Sequence, residues 1–288
     1  MNADRPSLAV IGAGRVGTAL AIGLRAAGYQ VAGVYSRTPA SAVALAQRSG
    51  AAVFASAAAA AQAAELILLT VPDDAVGAAA AALAGADLRG RGVVHTSGAL
   101  DAGPLAALAA AGAAVGSLHP AFPFATRAAQ APPAGVTFAV EAEDARLRGW
   151  LLALVAALGG RALLIPPDGK AVYHAALVLV SNYTVTLYAL GMRLLAGLGA
   201  DPAAAAQALN ALLAGTTANL GALGVPAALT GPLVRADQGT IAAHLDALAR
   251  VDPEAAQVYR LLGRLTLPLA QARGVDTEPL ARLLAEGC

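Results

Sequence analysis

Residues 8–17 constrain this chain more tightly than any other stretch. Leu8 to Ile11 is a short apolar run, and Gly12, Gly14 and Gly17 follow it at G-x-G-x-x-G spacing. From Thr18 to Ala27 the pattern becomes that of an amphipathic helix. A strand, a glycine turn and a helix in that order are the context a dinucleotide-binding turn requires. Gly12 permits the sharp turn and Gly14 has no Cβ to hold the backbone away from a pyrophosphate. Gly17 lets the helix pack closely on the strand. With Ala13, Arg15 and Val16 between them, these glycines would place phosphates on free N–H groups at a helix N-terminus, where the dipole favours negative charge.

The next strand, Gln30 to Tyr35, ends in Ser36, Arg37 and Thr38. A site for NAD would place a carboxylate about 20 residues beyond the glycines, to accept from the ribose 2′-hydroxyl. No Asp or Glu occurs between Asp4 and Glu65. Ser36 and Arg37 instead offer a hydroxyl and a guanidinium suited to a 2′-phosphate, so the expected cofactor is NADP(H).

Strand and helix signals then alternate. A helix is expected over 39–50, a short strand over 52–54 and an alanine helix over 55–64. Leu66 to Val71 is a continuous apolar strand of the kind a buried parallel sheet uses. It stops at Pro72, Asp73 and Asp74, where an acidic first turn opens another helix. Further strands are expected at 93–94, 115–118, 137–140 and 162–165, with a helix over 144–158. The β-α-β alternation argues an α/β fold with an N-terminal doubly wound Rossmann sheet. Ligands of such sheets bind beyond the carboxyl ends of the strands. The segments expected there are Gly12–Gly17, Ser36–Arg37, Val71–Asp74, His95–Gly98 and His119–Phe124, and they gather the polar residues and glycines that the strands lack. Val71, Pro72 and Ser97 therefore join the cofactor-contact candidates.

Beyond Pro166 and Pro167 no comparable strand signal follows. Helices are expected over 170–198, 202–214, 238–249, 253–273 and 276–286, with N-caps at Asp168, Asp201, Asp252 and Asp276. The expected division is thus a nucleotide-binding domain, 1–166, and an all-α substrate and dimerisation domain, 167–288.

Composition narrows the partners. A net charge of +1 gives no electrostatic case for nucleic acid or an anionic membrane. Cys288 is the only cysteine, which excludes an intrachain disulfide and suits a cytoplasmic setting. Residues 171–192 carry no Asp, Glu, Lys or Arg, but His174, Ser181, Asn182 and Thr184 make a buried central helix the better reading than a membrane span. The four histidines are far apart in sequence and lack carboxylates or thiols at ligand spacing, so no metal site is expected.

The helix after the boundary is where chemistry is expected. At about 100° per residue, Lys170, His174, Ser181 and Tyr188 fall on one stripe, with Asn182 at its edge. Imidazole exchanges protons near neutrality, so His174 is a candidate acid, with Lys170 one turn earlier as the other. Asn182 and Ser181 could hold a substrate oxygen. Thr230 and Arg235, on a glycine-proline loop, could clamp a carboxylate. His95 and Ser97 stand at a strand end near the expected nicotinamide position, whereas His244 reads as an ordinary helix-surface residue.

The segments VIGAGRVGTAL, TVPDDAV, HTSGAL, GSLHPAFPF, YHAALVLVSNY and LTGPLVRADQGTIAAHL together resemble a bacterial family of Rossmann-like oxidoreductase-type proteins. Their helical C-terminal half was catalogued without a known function and is similar to the C-terminal domain of 6-phosphogluconate dehydrogenase. The resemblance spans nearly the whole chain and extends in architecture to ketopantoate reductases, β-hydroxyacid dehydrogenases, pyrroline-5-carboxylate reductases and prephenate dehydrogenases. It implies an NADPH-dependent homodimer that reduces the carbonyl of a small oxo-acid, ketopantoate first, with an imine acid as the rival and a non-catalytic NADP-binding sensor as the third reading. In ketopantoate reductases the corresponding helix carries a lysine acid, with asparagines four and eight residues later. If His174 matches that lysine, Asn182 matches the second asparagine and Val178 departs from the first. Ser97 and Gly98 resemble the substrate-touching Ser-Gly of β-hydroxyacid dehydrogenases, and His119-Pro120 the His-Pro of prephenate dehydrogenases.

Overall fold

The computed structural model describes residues 5–124, 131–166 and 168–285. Cys288, Pro167 and the expected end of the last helix at Glu286 lie outside the described residues. Two compact units emerge, Met1–Val180 and Ser181–Cys288. The first therefore extends past the change of composition at 166 and takes in the opening helix of the all-α part.

In the first unit the chain runs through β1 (Leu8–Ile11), α1 (Arg15–Ala26), β2 (Val31–Tyr35), α2 (Pro39–Ser49), β3 (Ala52–Val53), α3 (Ala57–Gln62) and β4 (Leu66–Leu69). It continues through α4 (Val76–Ala81), β5 (Gly92–His95), α5 (Ala106–Ala110), β6 (Ala114–Pro120), β7 (Thr137–Ala142), α6 (Ala145–Ala157), β8 (Arg161–Leu164) and α7 (Lys170–Val180). The strands form one sheet of order β3-β2-β1-β4-β5-β6-β7-β8. Pairing is parallel from β3 to β6. β7 then reverses against β6, and β8 follows β7 in parallel. The doubly wound expectation thus describes six strands, and an antiparallel step adds the last two.

Every residue of β1, β4 and β5 is buried, because helices cover both faces. Side chains alternate accordingly. Leu8, Val10, Leu66 and Leu68 join α1, α2 and α6 in one core, while Ala9, Ile11, Ile67 and Leu69 join α3, α4 and α5 in the other. Each such leucine or isoleucine contributes roughly 1.5–3 kcal/mol of burial. The acidic turn at Asp73–Ala75 is a short 3-10 segment that leads into α4, rather than the first turn of that helix.

The second unit holds α8 (Asn182–Gly197), α9 (Pro202–Leu223), α10 (Gln238–Val251), α11 (Pro253–Gln271) and α12 (Glu278–Ala285). Its core is small: Ile241, Leu245, Leu280 and Leu284, with Leu233, Tyr259 and Leu267 packed on them. Asp201 and Asp252 cap α9 and α11 as expected, and Asp237 caps α10 in the same way. Arg193 of α8 pairs with Asp252 at 2.8 Å.

Four local expectations are corrected. Helix 170–198 has an irregular turn at Ser181 (φ −97°, ψ −66°), which separates α7 from α8. Asp168 has φ +63°, the left-handed region, rather than the extended backbone an N-cap uses. The helix expected to stop at 214 continues to Leu223, with the Thr216 and Thr217 hydroxyls donating back to the Leu212 and Leu213 carbonyls. The helical run Lys170–Gly197, expected as a buried central helix, buries only Lys170, and it is the one run among the described residues long and apolar enough to cross a membrane by length and composition.

Candidate functional site

The strand order reverses between β1 and β4, which opens a crevice at their carboxyl ends. A cavity of about 360 Å³ lies there, lined by Gly12, Ala13, Gly14, Ser36, Arg37, Val71 and Pro72 among others. Seven of the expected cofactor-contact positions therefore come together. Gly12 has φ +110°, and a Cβ on it would fall 2.6 Å from the Thr70 carbonyl oxygen. A Cβ on Gly17 would collide with Gly12 O and Thr70 Oγ1. Thr70, which the sequence did not single out, fixes the turn by donating its hydroxyl to Gly12 O at 2.6 Å. Gly14 differs: a Cβ there would touch only Thr70 O, at 3.9 Å, so its glycine leaves open space beside the cavity. That cradle fits a pyrophosphate, and the exposed Arg37 beside Ser36 fits a phosphate on the ribose.

Arg15 points elsewhere, donating to the Phe124 carbonyl at 3.2 Å, and Val16 packs partly buried against the core. A larger cavity, about 830 Å³, lies at the opposite, amino ends of β5 and β6, lined by small residues together with Glu141, Glu143, Asp144, Arg146 and Arg148. Position relative to the strand ends, not size, selects the smaller one.

Further along the same rim, β5 and β6 end in a second cluster. His95 is wholly buried: its Nε2 lies 2.7 Å from Asp101 O, and its Nδ1 accepts from the Ser97 N–H. Burial pulls its pKa down. His95 thus shapes the 95–101 turn rather than facing a ligand. The Ser97 hydroxyl accepts from the backbone N–H groups of Ala99 and Leu100, tightening that turn. The Ser97 carbonyl is turned toward α7, where it accepts from Lys170 Nζ at 2.9 Å.

Lys170 is 2% exposed. Burial lowers its pKa to about 8, although Glu141, Asp73 and Asp101 oppose that shift. Glu141 is itself fixed, accepting from Ser117 Oγ and the Ala102 N–H. A buried lysine with a softened proton beside a nucleotide-binding rim is a functional-site signature.

One turn on, Tyr173 places its hydroxyl 2.9 Å from His119 Nδ1 and its ring 5.6 Å from Lys170 Nζ. His119 and His174 stand edge to face, with ring centroids 6.4 Å apart. Both flank Gly98, where a Cβ would fall 2.8 Å from His174 Cδ2 and 2.9 Å from His119 Nε2. Lys170, Ser97, His119 and His174 are thus brought together within the first unit, along with Tyr173. Tyr173 was visible in the sequence only as a neighbour of His174.

The remaining candidates belong to the second unit. Ser181, Asn182, Thr230 and Arg235 are exposed there. The loop carrying Thr230 is held by Arg273, which donates to Leu229 O. His244 is exposed on α10, as expected, and its Nδ1 lies 2.9 Å from the Tyr259 hydroxyl of α11. Among the described residues no group of three or more His, Cys, Asp or Glu could hold a metal ion.

Residues 1–120 match the model of the Rossmann-like domain, and residues 136–266 match that of a domain of unknown function, DUF2520. No curated protein matches the chain. Among solved structures, it is similar to a protein from Bacteroides fragilis described as an NADP oxidoreductase: 26% identity, 92% of this chain and 99% of that one covered, TM-score 0.71. A Thermotoga maritima protein shares the fold at 23% identity and TM-score 0.74, with 93% and 100% covered. An imine reductase from a Pseudomonas species does so at 21% and 0.62, with 94% and 95% covered.

Proposed function

From a chain that joins a Rossmann-like domain to a DUF2520 domain, we infer an NADP(H)-dependent oxidoreductase that reduces the carbonyl of a small oxo-acid, in the manner of a ketopantoate reductase. One observation carries the reading: Lys170, buried and tied to the Ser97 carbonyl, lies on the same carboxyl-end rim as the glycine cradle. Gly12, Ala13 and Gly14 would hold the pyrophosphate, Ser36 and Arg37 the 2′-phosphate, and Val71 and Pro72 the wall beside them. When bound, the reduced nicotinamide supplies hydride. The chain's own part is the proton. Lys170 as ammonium gives it to the oxygen that becomes the alcohol, and its pKa of about 8 makes it a stronger acid than an exposed lysine. Burial favours Lys170 over His174 as that donor, and His174 and His119 would shape the substrate side over Gly98.

The Bacteroides neighbour's description supports the cofactor, and the Pseudomonas imine reductase favours a second reading in which the acceptor is a C=N bond. We also place two copies together in a cytoplasmic homodimer, with domains 1–166 and 167–288 as functional halves. The exposed Val185 of α8, Leu198 just beyond it, and Leu212 and Leu223 of α9 support pairing. Polar Asn182, Thr184, Thr186 and Arg193 on α8 favour a protein neighbour over lipid.

Calorimetry with NADPH and NADH, followed by NADPH oxidation with ketopantoate, other 2-oxo acids and cyclic imines, tests the assignment. Tighter binding of NADPH and turnover of an oxo-acid are expected. Turnover with imines alone reverses the order of the two readings, and no heat with either nucleotide removes the enzyme.

A further inference from the structure

His119 has two ring nitrogens in two different surroundings. Nδ1 meets the Tyr173 hydroxyl at 2.9 Å. Nε2 packs beside Gly98, where a Cβ would fall only 2.9 Å away; it takes no hydrogen-bond partner among the described residues and is not fully buried. Glycine is what lets both rings pack here, because any side chain at 98 would strike this nitrogen and the His174 ring together.

We propose that Tyr173 is a positioning residue that donates its hydroxyl proton to His119 Nδ1, so that His119 presents Nε2–H over Gly98 as an uncharged donor to an oxygen of the substrate. A neutral imidazole must place its one proton on one nitrogen or the other, and the partner of the first decides the role of the second. A phenol is a good donor and a bare imidazole nitrogen a good acceptor, so the pair settles with the proton on oxygen. The electrostatics agree. Burial, Lys170 and His174 hold the His119 pKa at about 4, and burial pushes that of Tyr173 to about 12, so both groups stay uncharged across the working range. Lys170 lies over the Tyr173 ring, 5.6 Å from Nζ to its centre, which keeps a second proton off the neighbouring imidazole.

The acceptor this arrangement suits is a carbonyl or carboxylate oxygen. An iminium nitrogen has no lone pair to offer. The inference rests on the oxidoreductase reading for its substrate, but the tautomer itself does not depend on it.

The test is ¹⁵N NMR of the histidine rings in the full chain, with His119 assigned by its disappearance in His119→Gln. The expected spectrum of the unsubstituted protein has Nδ1 bare and Nε2 protonated. Tyr173→Phe keeps the ring over Lys170 and should give mixed tautomers. In turnover it should raise KM for the oxo-acid about fivefold, the size of one ordinary hydrogen bond, with kcat changed less and NADPH affinity unaltered. A proton on Nδ1 in the unsubstituted protein, or a tautomer indifferent to Tyr173→Phe, overturns the proposal. If no nucleotide binds, the oxidoreductase reading fails while the NMR result still decides the tautomer.

Discussion

The two units use similar apolar material in opposite ways. In the sheet unit, β1, β4 and β5 bury every residue and helices close both faces. In the helical unit, α8 buries none of its residues and α9 only Ala205, while Leu198 and Leu212 remain 80% and 68% exposed. A sheet stacked between helices satisfies itself within one chain. A helix that leaves large apolar side chains exposed does not, and a contiguous surface of that kind marks an interaction site. The sheet unit also holds buried Lys170, so the proposed function places binding and proton chemistry in the first unit and association in the second.

The sharpest way to break that division is Lys170→Met. If the proton comes from this ammonium, kcat/KM should fall about 10²–10⁴-fold, the usual weight of a positioned acid, while NADPH affinity in calorimetry stays near its original value. The pH profile gives the same test without a substitution. Reduction needs the ammonium, so kcat/KM should be flat on the acid side and decline as pH rises through about 8, where Lys170 loses its proton. An unchanged profile in the methionine variant would remove Lys170 from the chemistry.

Gly17→Ala tests the packing half of the contrast. Its Cβ has to displace Gly12 O and Thr70 Oγ1, so stability in urea should drop by roughly 1–3 kcal/mol, with loss of nucleotide binding. Arg37→Asp should weaken NADPH by about tenfold to a hundredfold and NADH hardly at all, since it removes a charged hydrogen bond from the 2′-phosphate only. The smallest effect on the site is expected from the second unit. Leu212→Glu combined with Leu223→Glu, one face of α9, should shift light scattering from dimer toward monomer while leaving NADPH affinity within about twofold. A dimer that survives would move the association surface elsewhere.

The nucleotide cradle was legible because local chemistry dictates it: apolar strands next to glycines at fixed spacing leave few alternatives. Its long-range support was not legible. Thr70 is 58 residues from the carbonyl it grips, Glu141 is 24 from Ser117, and Tyr173 is 54 from His119. Nothing in the run around each announces its partner. The stripe drawn through Lys170, His174 and Ser181 assumed one regular helix, and the irregular turn at Ser181 divides it, leaving Lys170 buried and Ser181 exposed. Residues such as Gly215, Thr216 and Thr217 made α9 look shorter than it is, because threonine hydroxyls can turn back on the helix that carries them.

The anchor of Lys170 is an oxygen of the main chain, not of a side chain. Any amino acid at position 97 supplies that oxygen, but only a side chain such as the Ser97 hydroxyl also accepts from the Ala99 and Leu100 N–H groups that hold the turn. What the lineage has to preserve is the route of the polypeptide from 95 to 101, and a lost bend there would misplace the ammonium as surely as deleting it.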